Sequence, residues 1–347
     1  MENEELRLNV SLLRRRVPNL TSAAKAVGLR PATVSNLCTG KISVGKSEVR
    51  TLVALADLAK CSLDELIIRG EKIEMIETKI KALDLFAPLA KGGTVGLVAR
   101  PGMGQLVLLS EVFCRLKGEG FFTMLLMPEG NPPEIEEVLP YVDAVTNSME
   151  ETYGQMAGAG KDIIFAADKS HVAKGTIYEL QERLSSVGID NVTTFLLDLS
   201  GQAMDEDLPY GPLETAWQFD ADLTARHLFP AVNPLQSTSS VLEGAHIDQN
   251  HFFIQQRAQK LLRRYRELRS LVLVSGFEKL PASEQQIYKR GERLEAYLTQ
   301  PFYVAEEFTG QKGESVSLAE TLKDVQAILD GSYDVKEAVE LKYVGTL

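Results

Sequence analysis

The segment from Thr94 to Phe113 constrains the fold more than any other part of the chain. Thr94-Val95-Gly96-Leu97-Val98-Ala99 is an unbroken apolar run that reads as a buried strand. Arg100 to Gln105 carries Gly102 and Gly104 and reads as a tight turn, and Leu106 to Phe113 reads as the helix packed behind the strand. A turn that leaves a buried strand and opens a helix is the setting in which backbone N–H groups converge on an anion. One such unit does not use up the chain: 347 residues, 44% apolar and 24% charged, exceed one compact core and exclude pervasive disorder. Apolar runs such as Phe121 to Met127 fall far short of the about 18 residues of a membrane span, so no membrane insertion is expected. The acidic start Met1-Glu2-Asn3-Glu4-Glu5 is no export signal, which points to a cytoplasmic protein. Cys38, Cys61 and Cys114 are spaced as reduced, packed thiols, with no metal site expected.

The net charge of -11 conceals a division. Residues 1 to 70 hold eleven Lys and Arg against seven Asp and Glu, a balance of +4, and the remainder carries -15. In this basic head, Leu8 to Val17 has helical spacing, Thr21 offers an N-cap oxygen to residues 22 to 27, and Gly28 stops that helix. Pro31 suits the first position of a helix over Ala32 to Cys38, Ser47 to Ala59 reads as a fourth helix, and Ser62 to Leu66 opens a fifth. The run Ala24-x-x-x-Gly28-Leu29-x-x-x-Thr33-Val34-Ser35-Asn36-x-x-x-Gly40-Lys41, with Leu52-x-x-Leu55-Ala56 and Cys61 to Leu66 after it, resembles the helix-turn-helix domains of the lambda-repressor and Cro class. The resemblance implies an all-α head that binds DNA and regulates transcription. Thr33, Ser35 and Asn36 would reach base edges, and Arg14, Arg15, Arg16, Lys25, Arg30, Lys41 and Lys46 would meet phosphates.

Gly40 to Ser47 satisfies the written phosphate-loop pattern G-x-x-x-x-G-K-S, yet it comes after a helix and not a strand, so its amides have no reason to converge on an anion. The appropriate context is the Thr94 to Phe113 unit. Its lead-in, Lys79-Ile80-Lys81-Ala82-Leu83-Asp84-Leu85-Phe86-Ala87-Pro88-Leu89-Ala90-Lys91-Gly92-Gly93, resembles that of the catalytic beta subunit of rotary F-type ATP synthases. Leu228-Phe229-Pro230-Ala231-Val232-Asn233-Pro234-Leu235-Gln236-Ser237-Thr238-Ser239 and Gln300-Pro301-Phe302-Tyr303-Val304-Ala305-Glu306-Glu307-Phe308-Thr309-Gly310 resemble the adenine-side motifs of the same family, and Ile328 to Asp334 its final helix and turn.

That resemblance implies a RecA-like P-loop α/β domain and, after it, a helical domain, shortened and stripped of chemistry. Gln105 stands at the family's P-loop lysine, Leu106 at its magnesium-ligating threonine and Ala99 at its first glycine. The resemblance therefore implies a pseudo-ATPase in which an adenine nucleotide is a ligand and not a substrate. Gly102, Met103 and Gly104 would supply backbone donors, Asp198 is similar to the Walker B aspartate, and Phe229, Phe302 and Phe308 would sandwich the adenine. Glu129 falls on the family's catalytic glutamate, but Gly130 replaces the adjoining arginine and Pro132-Pro133 disrupts the segment beyond it. His246 and His251, five apart, are expected to cap or to face solvent, and the basic stretch Gln256 to Arg269 to be a solvated helix face. Phe277 to Glu284 corresponds to the family's rotor-pushing loop, diluted with lysine and proline.

The expected layout is a helix-turn-helix domain over 1–70, a charged linker over 71–79, a degenerate RecA-like nucleotide domain over 80–245 and a helical domain over 246–347. The leading expectation is a DNA-binding regulator carrying an ATP synthase-like nucleotide or oligomerisation module, with DNA and further copies of the chain as partners. Two alternatives stand beside it: an auxiliary or active ATP synthase-like subunit with alpha-like or rotor partners, and a protein-interaction scaffold.

Overall fold

A computed structural model of the chain describes residues 6–9, 12–13, 16–17, 20–38, 42, 44–69, 73–130, 132–189, 191–199, 201, 213–242 and 248–347. These fall into two compact units, Met1–Glu74 with Ser240–Asp248, and Met75–Ser239 with Gln249–Leu347.

The first unit differs from an all-α head in carrying a two-stranded ribbon. Strand β1 (Leu6–Leu8) pairs antiparallel with β2 (Ile67–Arg69), with Leu6 opposite Arg69 and Leu8 opposite Ile67. Leu8 is therefore extended and not the start of a helix. The cause is Asn9, whose Oδ1 accepts the Leu12 N–H at 3.1 Å and whose Nδ2 donates to the Glu65 carbonyl at 3.2 Å, so that helical residues begin only after it. The next helix is Leu20–Ala26, which opens one residue before the expected cap at Thr21. Gly28 closes it at φ 78, with Leu29 N donating to Ala24 O at 2.9 Å and Gly28 N to Lys25 O at 3.1 Å, the paired bonds of a left-handed helix stop. Helix Pro31–Cys38 comes next, burying Val34 and Leu37. Helix Val49–Ala59 buries Leu52, Leu55, Ala56 and Ala59, and Leu63–Leu66 is held by a capping box between Ser62 and Glu65. Leu8, Leu13, Ala24, Val34, Leu37, Leu55 and Leu66 meet in one core.

The second unit is built on a seven-stranded sheet. After a small antiparallel pair, β3 (Met75–Ile76) with β4 (Leu89–Ala90), come β5 (Thr94–Val98), β6 (Phe122–Leu126), β7 (Ala144–Thr146), β8 (Ile163–Asp168), β9 (Val192–Leu197), β10 (Thr215–Gln218) and β11 (Thr238–Ser239). Their order is β11-β10-β5-β9-β8-β6-β7, parallel throughout except for β11. Alternation along β8 shows why both faces are covered: Ile164 and Ala166 join the core beneath helix Gln105–Gly118, while Ile163, Phe165 and Ala167 join a second core beneath helices Met149–Gly158 and Thr176–Ser185. Phe195 links the first core, packing edge-on to Phe113 at 5.8 Å and tilted against Trp217 at 5.6 Å. The Trp217 indole N–H donates to Ala87 O at 2.9 Å.

The helical region belongs to the same unit. Helices Gln249–Ser275 and Ala282–Tyr297 pack so closely that a Cβ on Gly291 would lie 2.4 Å from the Tyr265 Cβ, which explains a glycine inside a helix. Helix Leu318–Asp330 begins with a capping box between Ser317 and Glu320 and ends at Gly331, φ 89. His251 is not at the surface: it is 3% exposed, with its Nε2 2.9 Å from Leu85 O. His246 lies outside the described residues. Arg264, Arg266 and Arg269 on the basic helix are paired to Glu284, Asp220 and Asp222, while Lys260 and Arg263 remain exposed. No helix among the described residues is long and apolar enough to cross a membrane.

Candidate nucleotide-binding site

Helix Gln105–Gly118 begins at Gly104 in the left-handed region, φ 84, with no side-chain cap, and Gly102 is left-handed as well, φ 81. Two glycines are needed because both backbones take a conformation that a Cβ disfavours. The loop therefore leaves the amides of the first helical turn facing outward at the carboxyl end of β5, between β9 and β10.

Beside this loop is a cavity of about 510 Å³. Gly102, Met103, Gly104, Phe229 and Phe302 are among the residues that line it. A Cβ on Gly104 would come within 4.0 Å of the Phe229 ring, so the phosphate-loop glycines and the first expected adenine-side phenylalanine share one wall. The Phe229-Pro230 peptide bond is cis. The Phe229 carbonyl accepts from Gln300 N at 2.9 Å, and its N–H donates to the Tyr343 hydroxyl at 3.2 Å. Tyr343 in turn donates to His227 O at 2.6 Å, and both residues hold positive φ values of 53. Those two left-handed non-glycine residues concentrate local strain in the wall of the cavity.

Phe308 is not part of that wall. It is 91% exposed on the short helix Glu306–Thr309, whose flank at Ala305 and Thr309 faces the cavity instead. Of the three rings expected at the adenine, Phe229 and Phe302, the latter 7% exposed, line the cavity and Phe308 does not.

Gln105, Leu106 and Asp198, expected at the nucleotide as well, are not among the residues that line this cavity. Gln105 and Leu106 are buried in the first helical turn, 7% and 8% exposed. Asp198 comes directly after β9 and is 3% exposed, and the Lys169 ammonium lies 3.4 Å from its Oδ2. Lys169 comes directly after β8, and its N–H donates to Leu197 O at 2.8 Å, which sets the two strand ends side by side. The loop beyond Asp198 rests on the phosphate loop, since a Cβ on Gly201 would be 2.7 Å from Pro101 Cδ. Glu129 is exposed and ion-paired with Lys174 at 2.6 Å, and that bond holds its carboxyl below the ordinary range. A general base needs a raised pKa and a position at the ligand. Glu129 has neither, so the weak sequence case for it as a catalytic residue is withdrawn.

Magnesium does not fit this donor set. Leu106 brings only an alkyl chain to the first helical turn, and the Asp198 carboxylate is already beside the Lys169 ammonium. No cluster of three metal-binding side chains exists among the described residues.

Other supports were not apparent in the sequence. Arg115 is 7% exposed: its Nε bonds Glu111 at 2.7 Å, and its guanidinium reaches Lys79 O, Glu314 O and the Ser315 hydroxyl at 3.0, 2.7 and 2.9 Å. Glu111 also accepts Val304 N at 3.1 Å, which ties the phosphate-loop helix to the segment bearing Phe302. Gln300 bonds Lys81 N, Lys79 O and Glu314 O at 2.9, 2.8 and 2.6 Å. The i, i+4 spacing of Glu111 and Arg115 was the only available signal, and it is common to many exposed helices.

Of the residues expected to meet DNA, Arg16 is exposed but engaged within the chain: its NH1 donates to Ala59 O and Lys60 O at 3.3 and 2.8 Å, satisfying the end of helix Val49–Ala59. Lys25, Arg30 and Lys46 are exposed, and Thr33 and Asn36 half-buried. Arg14, Arg15, Lys41 and the Ser35 side chain lie outside what the structure describes.

Residues 242–338 match the family model for the C-terminal domain of V and A type ATP synthase. A solved structure described as that of a unique ATP synthase subunit, NeqB from Nanoarcheaum equitans, superposes with a TM-score of 0.57 at 15% identity, covering 76% of this chain and 77% of that chain. At that identity the likeness concerns the fold. The chain thus has an ATP synthase-like α/β and helical architecture, and its family match lies with the V and A type, whereas the motifs quoted from the sequence resemble the F-type subunit.

Proposed function

We propose that this protein is an auxiliary, ATP synthase-like subunit that holds an adenine nucleotide without hydrolysing it. The observation that carries this reading is the single cavity wall shared by Gly102 to Gly104 and Phe229, with Gln105 and Leu106 at the positions where hydrolysis requires an ammonium and a metal-binding hydroxyl. Stacking on Phe229 and Phe302 retains a purine without triphosphate machinery. The family match at residues 242–338 supports partners of the ATP synthase kind over DNA. Calorimetry with ATP, ADP and AMP tests the reading: binding with no phosphate release is expected. Turnover above background that is lost in Glu129→Gln would replace it with that of an active subunit. Copurification of ATP synthase-type subunits is the expected partner result.

A second reading concerns the head alone. The exposed cations Lys25, Arg30 and Lys46 around helices Leu20–Ala26 and Pro31–Cys38, together with the +4 balance of residues 1 to 70, favour DNA as its ligand. A DNA-shift assay in which Arg30→Ala and Asn36→Ala leave binding undiminished removes this reading.

A further inference from the structure

We infer that the site takes its adenine nucleotide free of any divalent cation, with the Lys169 ammonium beside Asp198 providing the positive charge that a metal ion provides in hydrolysing phosphate-loop sites. The inference rests on the proposed adenine-nucleotide reading and specifies the ionic form of the ligand.

Charge sets the requirement. A nucleotide polyphosphate carries several negative charges, and a buried carboxylate at the same strand edge repels it unless a cation intervenes. Asp198 is such a carboxylate, 3% exposed, at the end of β9 and next to β5, which leads into the phosphate loop. In a metal-dependent site the intervening cation is held jointly by the carboxylate and a helix hydroxyl. Here Leu106 offers no hydroxyl, and Gln105 offers no charge. Lys169 Nζ already lies 3.4 Å from Asp198 Oδ2, with 17% and 1% of the two side chains exposed. It is fixed from behind, because its N–H is bound to the carbonyl of Leu197, the last residue of β9, which Asp198 follows. The loop after Asp198 lies against Pro101 of the phosphate loop, so the pair sits at the same edge as the glycine amides.

The consequence is a site whose charge is balanced before any ion arrives. A divalent cation entering it would have to displace Lys169 and would find no second protein ligand at position 106.

The test is calorimetry of the full chain with ADP, in millimolar EDTA and in millimolar magnesium. The expected Kd values agree within about twofold, and Lys169→Gln, confirmed as folded by its melting curve, weakens ADP by about tenfold in EDTA. Manganese alone, followed by its effect on water proton relaxation, is expected to show no site on the wild-type chain. Magnesium tightening ADP by about tenfold or more, or a manganese site on the wild-type chain, overturns the inference and leaves the adenine reading standing. Equal ADP affinity in wild type and Lys169→Gln overturns the role of Lys169. Absence of ADP binding in both buffers defeats the adenine reading itself, and the inference with it.

Discussion

Lys81 shows how much one buried side chain sets the behaviour of the second unit. It is fully buried in helix Lys81–Phe86, its Nζ donates to Val344 O at 2.7 Å, and it lies over the Tyr297 ring at 4.1 Å. Burial pulls its pKa down from 10.5 to about 7, against the opposing pull of Asp324 and Glu314. Because the folded value lies below the unfolded one, the unfolded state binds more protons between them, and stability rises with pH from about 7 towards 10.5. A higher urea midpoint at pH 9.5 than at pH 7, with the difference lost in Lys81→Met, is the expected outcome. Arg115→Met leaves Glu111 buried without its cation and should cost about 3–5 kcal/mol in chemical denaturation. Gln105→Lys alone should leave ATP turnover at background, because Leu106 still lacks a hydroxyl; phosphate release above the wild-type level would contradict that. Phe229→Ala should weaken ADP by about three- to tenfold, the worth of one ring stacking contact.

Among the elements, the parts legible in the sequence are those that local chemistry dictates. The β5 strand, its glycine turn and the helix behind it arise from a continuous apolar run and two left-handed glycines, and they stand as expected. The helix stop at Gly28 was legible for the same reason. The features that escaped depend on pairing across the chain. Leu8 has helical spacing but is drawn into β1 by Ile67, and Arg16 is drawn to the carbonyls of Ala59 and Lys60. Phe308 fits the adenine-side motif residue by residue, yet a helix of four residues leaves it outward. Lys169 meets Asp198 only because β8 and β9 run in parallel register, which no local pattern announces. The close approach at Gly291 is of the same kind: Gly291→Ala must push Tyr265 aside, and a loss of about 1–3 kcal/mol in the urea midpoint comparison is expected.

At the scale of the molecule, each unit has its own apolar core, one around Leu13, Leu55 and Leu66 and others beneath the sheet and among the C-terminal helices. Calorimetric melting of the full chain should therefore resolve two transitions; a single one with matching calorimetric and van't Hoff enthalpies would show the units to be one cooperative body. The cavity has a consequence of a different kind. Its walls come from four stretches far apart in the chain, around Gly102, Phe229, Phe302 and Tyr343. A molecule seated there is a clasp across those stretches, and it slows every opening that separates them. Susceptibility to a protease in the native state should then fall when adenine nucleotide is added, at cleavage sites remote from the pocket as well as near it. On the proposed reading, the ligand would serve as a fastening that keeps the chain closed.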